Sequence, residues 1–272
     1  MLKTRIITAL FIFSATLALV FLSPSWLFRL LTALVLLTGC WEFRRLADLR
    51  ATASWALPGL QIIIFALMMY YWPVIEARAI VILAVACLAW LLMFSRLFVF
   101  RDDEQPGNSF RRFGFLSALS ATTFCWFALS WLHAQPNGPY IVFLVLLIIW
   151  ASDVGAYFSG KQFGRRKLAP MISPKKTWEG VYGGIALAIA AAFAWSELIA
   201  GLNIPVVALL TMTMLTTLAS VGGDLFISIH KRTVGLKDTG TIFPGHGGIL
   251  DRYDSLLAGA PFFALAYGIL AQ

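Results

Sequence analysis

A chain of 272 residues is long enough to bury a sizeable core, yet 60% of these residues are hydrophobic and only 12% are charged, against ~25% charged in ordinary soluble domains. So few charged side chains cannot cover the exterior of a soluble globule, which excludes that class. The net charge of +8 has no soluble basic domain to carry it, so no nucleic-acid partner is expected and the placement of the basic residues matters more than their sum.

In chain order, apolar runs of membrane length lie near residues 6–22, 26–42, 53–72, 79–99, 113–132, 139–158, 180–200, 204–226 and 255–271, each read as a spanning helix. The first follows Lys3 and Arg5 but is long and has no small-residue cleavage site before Ser23, so it reads as a retained helix. Cys40, Cys87 and Cys125 sit inside apolar runs without CxxC spacing and read as packing. Of the 21 lysines and arginines, 19 fall on the N-terminus and alternate loops, and only Arg29 and Arg78 fall on the other side. The positive-inside rule then gives an all-α polytopic membrane protein of about nine transmembrane helices, with the N-terminus cytoplasmic and the C-terminus outside.

The halves differ. Residues 1–138 read as a scaffold of about five helices with short loops, whose acids Asp48, Asp102, Asp103 and Glu104 lie among arginines as a solvated face would. Residues 139–272 carry two long cytoplasmic loops dense in glycine, lysine and aspartate, and loops of that length are uncommon unless functional or disordered. Their interleaved apolar residues argue against disorder, so this half reads as the catalytic region. In its second helix Gly180, Gly184, Ala188 and Ala192 form a smooth stripe for close helix approach. Packing within the chain is the preferred reading, and a homodimer contact the alternative.

Six carboxylates gather at the cytoplasmic ends of the last four predicted helices: Asp153, Glu179, Asp224, Asp238, Asp251 and Asp254. Asp224 in VGGDLF follows a long uncharged helix, a place where an acid is costly unless partnered. Asp251 and Asp254 are three apart and share a helix face, although acids at a helix start also complement its dipole. Hard oxygen ligands of this kind suit Mg²⁺, which takes one or two carboxylates plus substrate phosphates. Gly245, Gly247 and Gly248 permit a turn whose N–H groups line an anion site. Around them lie Lys231, Arg232, Lys237, Lys175 and Lys176. Basic residues beside a membrane ordinarily serve topology and lipid charge, but here they alternate with acids and glycines, as cations that bind phosphates would beside a metal site. His133 reads as incidental in a loop, His230 has no evident partner, and His246 is the one histidine placed for chemistry. A Ser255, His246, Asp251 hydrolase is disfavoured because no nucleophile elbow is present.

The stretch SIHKRTVGLKDTGTIFPGHGGILDRYDS, residues 228–255, resembles the signature of the phosphatidate cytidylyltransferases, also called CDP-diacylglycerol synthases. Ser228, Lys231, Arg232, Lys237, Asp238, Pro244 to Gly248, Asp251, Arg252 and Asp254 match its fixed positions. The similarity extends through GDLF at 223–226, SPKKTWEG at 173–180 and ASDVGAYFSGKQFG at 151–164, whereas the N-terminal half offers only hydropathy. Bacterial members often carry a glutamate where this chain has Ile227, which weakens any second cation site built on that acid.

The resemblance implies synthesis of CDP-diacylglycerol from CTP and phosphatidate with Mg²⁺, in a membrane of lipids that supply the second substrate. It places the catalytic group at Asp224, Asp251, Lys231, Arg232 and Lys237, with Asp224, Asp251 and Asp254 on the metal and Asp153 a weaker candidate. Lys175, Lys176, Ser228, His246, Gly247, Gly248 and Arg252 are then substrate-binding residues. Two rivals fit less well. A CDP-alcohol phosphotransferase predicts a DGxxAR motif that this chain lacks, and a carrier predicts paired internal repeats and broken helices in both halves, whereas the acids here cluster on one side of one half.

Overall fold

Backbone groups in hydrocarbon have no water to bond, so uninterrupted apolar runs must satisfy them within the segment, as helices do. A computed structural model describes residues 2–101, 105–199, 201–240 and 247–271, with side chains from Ile7 onward. Its helices are α1 (Leu2–Leu22), α2 (Ser25–Leu46), α3 (Ala51–Tyr70), α4 (Trp72–Glu76), α5 (Ala79–Phe94), α6 (Arg96–Val99), α7 (Asn108–Ala134) and α8 (Gly138–Phe163). A short hairpin, β1 (Lys167–Ala169) and β2 (Ser173–Thr177), precedes α9 (Trp178–Leu198), α10 (Val206–Thr233) and α11 (Leu250–Leu270). Among the described residues, eight helical segments are long and apolar enough to cross a membrane, and α1 adds the shorter apolar stretch Ile7–Leu22. Asp102, Asp103 and Glu104 lie outside the described residues.

The fold is an all-α polytopic membrane protein with one addition, the antiparallel hairpin that pairs Lys167 with Thr177 and Ala169 with Ser173. The helices also outrun the apolar runs at one end of the bundle. α8 continues past residue 158 to Phe163, α10 past 226 to Thr233, and α11 begins at Leu250 instead of 255. Hydropathy marks only the apolar part of a helix, while the i to i−4 ladder continues through polar residues. Lys231, Asp251 and Asp254 are therefore held on helices.

Close packing of the second half comes from small residues. A Cβ on Gly155 of α8 would lie 2.5 Å from the Gly183 carbonyl oxygen of α9, and one on Gly184 would lie 2.8 Å from that of Ser152. The stripe Gly180, Gly184, Ala188 and Ala192 is buried, and its glycines face α8, so this stripe serves packing within the chain. Gly155→Leu is expected to force the helices apart and to destabilise the protein by about 1–3 kcal/mol, the usual cost of overpacking, seen as a lower thermal midpoint in detergent.

In the first half, polar side chains bridge helices. Gln61 of α3 donates to Thr123 Oγ1 at 3.0 Å and accepts from Thr122 Oγ1 at 2.9 Å, both on α7. Trp126 Nε1 donates to the Arg29 carbonyl at 2.8 Å, and the Arg29 guanidinium lies 4.4 Å from the Trp72 ring centroid. Arg111 pairs with Asp48 at the surface. His133 is not in a loop as expected: it ends α7, buried, with Nδ1 3.2 Å from Ser25 Oγ and Nε2 3.0 Å from the Val20 carbonyl. The three cysteines are buried and unbridged.

Candidate active site

Helical spacing puts Asp224, Ser228 and Lys231 on one face of α10, near its C-terminal end. Ser228 Oγ donates to Asp224 Oδ1 at 3.3 Å. The Asp224 carboxylate pairs with the ammonium of Lys176, which arrives on β2. Strand alternation turns Lys176 toward this site and leaves its neighbour Lys175 exposed. Asp153 of α8 and Asp254 of α11 lie within electrostatic reach of both Lys176 and Asp224. One glycine makes this possible: a Cβ on Gly223 would lie 2.9 Å from the Asp254 carbonyl oxygen, so α10 and α11 approach closely beside the acids.

A second pair sits next to the first. Lys231 Nζ donates to Asp251 Oδ1 at 2.9 Å, and these side chains are 13% and 6% exposed, against 29% and 27% for Lys176 and Asp224. Lys231 also acts electrostatically on Asp224 and Asp254, so it ties the two acids of α11 to that of α10. Breaking the deeper pair leaves an uncompensated buried charge, whereas the shallower pair is open to exchange with an incoming anion.

Asp251 is held hard. Its Oδ2 accepts from Thr239 N at 2.8 Å, Thr239 Oγ1 at 3.0 Å and Gly248 N at 3.0 Å. That oxygen is filled, which leaves Oδ1, already on Lys231, as the atom Asp251 can offer to a cation. Gly247 has φ +81, and a Cβ there would also lie 2.7 Å from Asp251 Oδ2, so the turn into α11 requires glycine twice over.

Other predicted residues are placed differently. Arg232 Nε donates to the Ile172 carbonyl at 3.3 Å and so fastens the hairpin to α10. Lys175, Lys237, Asp238 and Arg252 are exposed and form no ion pair among the described residues. Glu179 is structural: it accepts from the backbone N–H groups of Arg165 and Arg166 at 3.0 and 3.1 Å and so closes the turn after α8. His230 is buried among Phe43, Phe110, Phe113 and Phe226, with Nδ1 3.0 Å from the Phe226 carbonyl. Ile227 is core. His246, with Pro244 and Gly245, lies outside the described residues.

Among the described residues no three carboxylate, histidine or cysteine side chains gather into a ready-made metal cage. The donors are Asp153 of α8, Asp224 of α10, and Asp251 and Asp254 of α11, four carboxylates of which Asp224 and Asp251 are each paired with a lysine. That set fits a hard cation that takes one or two carboxylates and completes its shell with substrate oxygens, as Mg²⁺ does.

A family model described as the cytidylyltransferase family matches residues 3–270. The chain belongs to that family. As a cytidylyltransferase it is a nucleotidyltransferase that uses CTP. A phosphatidate cytidylyltransferase of Pseudomonas aeruginosa is 37% identical over 266 residues, 97% of this chain and 96% of that protein. One from Haemophilus influenzae is 44% identical over 140 residues, 50% of this chain and 48% of that protein. One from Bacillus subtilis is 49% identical over 121 residues, 44% of this chain and 45% of that protein. The likeness that the sequence motifs carry in the C-terminal half thus extends to the N-terminal half.

In this cytidylyltransferase the N-terminal half also supplies a site residue that sequence reasoning missed. Glu42 of α2 is 4% exposed. Its Oε1 accepts from Ile249 N at 3.0 Å, and its Oε2 accepts from Leu250 N at 2.8 Å and lies 2.8 Å from Thr239 Oγ1. It therefore caps α11 from another helix, satisfying N–H groups that a helix start leaves open. The available signal is a lone acid at the end of an apolar run, two residues before Arg44 and Arg45. Gly248 packs against this carboxylate: a Cβ there would lie 2.2 Å from both Glu42 Oε2 and Thr239 Oγ1. Gly248→Ala is expected to displace both and lower the cytidylyl-transfer rate by about 10²-fold, as small misplacements of a reacting geometry do, in a steady-state CTP assay.

Proposed function

We propose that this cytidylyltransferase is a phosphatidate cytidylyltransferase, which makes CDP-diacylglycerol and pyrophosphate from CTP and phosphatidate at the cytoplasmic face of the inner membrane. The observation that carries the reading is the meeting of the Lys176–Asp224 and Lys231–Asp251 pairs at the ends of membrane helices, where a water-soluble nucleotide can reach a lipid headgroup. The named relatives, which include a phosphatidate cytidylyltransferase matching almost the whole chain, support the same substrates.

The chemical obstacle is repulsion. A phosphate monoester carries about −1.5 to −2 charges near pH 7, and it must approach a triphosphate. An ionised oxygen of the lipid phosphate attacks the α-phosphorus of CTP. The bond from that phosphorus to the oxygen bridging the α- and β-phosphates breaks, and pyrophosphate leaves with the electron pair. The attacking oxygen is already ionised, so no strong base is needed, and the protein's task is charge, alignment and exclusion of water.

Lys231, with Arg232 and Lys237, neutralises the reacting phosphates, and Lys175 and Lys176 take the triphosphate and the departing pyrophosphate. An arriving triphosphate competes with Asp224 for Lys176, which frees the carboxylate. Ser228 bonds the nucleotide, Gly247 and Gly248 hold the turn that fixes Asp251 instead of turning their N–H groups to a substrate anion, His246 would bond a phosphate oxygen, and Arg252 meets the lipid side. Asp224 and Asp251, with Asp254 behind them, would hold Mg²⁺, which would supply positive charge against the phosphates.

The test is direct. Purified protein given phosphatidate, labelled CTP and Mg²⁺ should release pyrophosphate and CDP-lipid in equal amounts, and a chelator should stop both. Pyrophosphate release without a CDP-lipid, or an equal rate without phosphatidate, would overturn the reading.

A further inference from the structure

On the other side of α11 from the lysine-paired carboxylates lies a cleft of about 310 Å³ between α1, α2, α7, α8 and α11. Its wall is apolar, with Phe11 and Leu19 on α1, Leu36 on α2, Leu146 and Trp150 on α8, and Leu256 on α11 among its lining. Of the hydroxyls on it, those of Thr16 and Thr32 are turned back onto their own helices, donating to the Ile12 and Phe28 carbonyls at 2.8 and 2.6 Å, and that of Tyr253 lies against Gly39 of α2. Among the described residues, one charged side chain lines the cleft, Arg252. Ile249, Arg252, Tyr253 and Leu256 follow three-and-four spacing and share one helical face, whereas Asp251 reaches Lys231 and Asp254 lies beside α10. The first turn of α11 therefore has the carboxylates on one side and a guanidinium over an apolar cleft on the other.

The dimensions fit one leaflet. The lining runs from Phe11 to Val20 on α1, Phe28 to Leu36 on α2 and Val142 to Trp150 on α8, about 12–14 Å at ~1.5 Å of rise per residue. That is close to half of a ~30 Å hydrocarbon core. The end away from Arg252 is closed by buried Val20, Phe28 and Val142, with the Phe28 ring stacked on His133 at 4.0 Å between centroids. Along its length the cleft opens past α1, where Phe11 is 69% exposed. A free phosphate would find no use for the apolar wall, and a neutral hydrocarbon none for Arg252.

We propose that this cleft is the acyl-chain subsite: one fatty acyl chain of phosphatidate lies along it from Arg252 toward the closed end, with the lipid phosphate at the Arg252 guanidinium. This rests on the substrate reading above. It places the phosphate at the helix turn that carries Asp251, and it makes the closed end a limit on how much chain the protein itself holds.

The experiment compares dioleoyl- with dihexanoyl-phosphatidate in detergent micelles. Ala15→Phe, which fills the cleft from α1, should lower the long-to-short ratio of kcat/KM by about tenfold, the low end of what one methylene's fit changes in an apolar pocket. Leu146→Ala, which widens it, should move the ratio the other way, and Arg252→Gln should raise the lipid KM at both chain lengths with no change in KM for CTP. An unchanged ratio in active Ala15→Phe and Leu146→Ala variants overturns the subsite while leaving the activity intact. Absence of CDP-lipid formation by the parent with any phosphatidate would instead count against the activity. In that event, or if a variant fails to fold, a phosphatidate carrying a diazirine on its acyl chain decides the matter in the parent protein. Labelling within residues 11–20, 28–36 or 142–150 supports the subsite, and labelling confined to residues that do not line the cleft overturns it.

Discussion

Asp251→Asn should abolish most CDP-lipid formation in a protein that remains folded. The carboxylate accepts Lys231 on one oxygen and three donors from Thr239 and Gly248 on the other. An asparagine keeps the shape but has one acceptor oxygen and one donor NH₂. If the oxygen keeps the Thr239 and Gly248 contacts, the NH₂ faces the Lys231 ammonium, and the site loses the negative charge that both the lysine and a cation need. A rate loss of about 10²–10³-fold is expected, the range for removing one preorganised group that stabilises developing charge. The stability loss should be smaller, about 1–3 kcal/mol, the cost of a buried polar group left without its partner. Initial rates at saturating CTP and phosphatidate, beside a thermal melt, separate the two. Lys231→Met is a poorer probe because it leaves the Asp251 charge buried and unpaired, which costs about 3–5 kcal/mol and confuses loss of function with loss of fold. Full activity in folded Asp251→Asn would remove Asp251 from the chemistry.

Much of this was legible in the sequence because the bilayer is a severe solvent. It forces each apolar run into a helix, so hydropathy alone locates the elements. It also penalises stray charge, so Asp224 stands out within α10. What hydropathy could not mark was where the helices end, since the polar turns that carry Lys231 and Asp251 continue a ladder that begins in lipid. Nor could it show the hairpin at 167–177. There, strand alternation separates Lys175 from Lys176, and two adjacent lysines that read alike take different places. Glu42 was illegible for another reason. Its partners, Thr239, Ile249 and Leu250, lie about 200 positions away in the chain, and only the packing of α2 against α11 brings them together.

Glu42→Gln is the second large effect expected, and it reaches the chemistry indirectly. The carboxylate offers acceptors only, the N–H groups of Ile249 and Leu250 point at its two oxygens, and the Thr239 hydroxyl lies 2.8 Å from Oε2. Whichever way a glutamine amide lies, its NH₂ meets at least one of them. The less costly orientation sets it against Ile249 N, trading a bond for a donor–donor contact at a cost of about 1–3 kcal/mol. Loss of negative charge at the α11 N-terminus adds about 0.3–1 kcal/mol. The thermal midpoint should fall accordingly. For catalysis, the Thr239 hydroxyl lies between Glu42 and Asp251 with one proton for both, so turning it alters the acid that holds Lys231. A fall of about 10-fold or more in kcat with little change in KM for CTP is expected, as when a group acts only through the transition-state arrangement. A double-mutant cycle with Thr239→Val tests the route. If Glu42 works through Thr239, the second substitution costs little once the first is made, because residues in one hydrogen-bonded network do not contribute additively. Additive losses in kcat would instead make Glu42 a helix cap with no hold on Asp251.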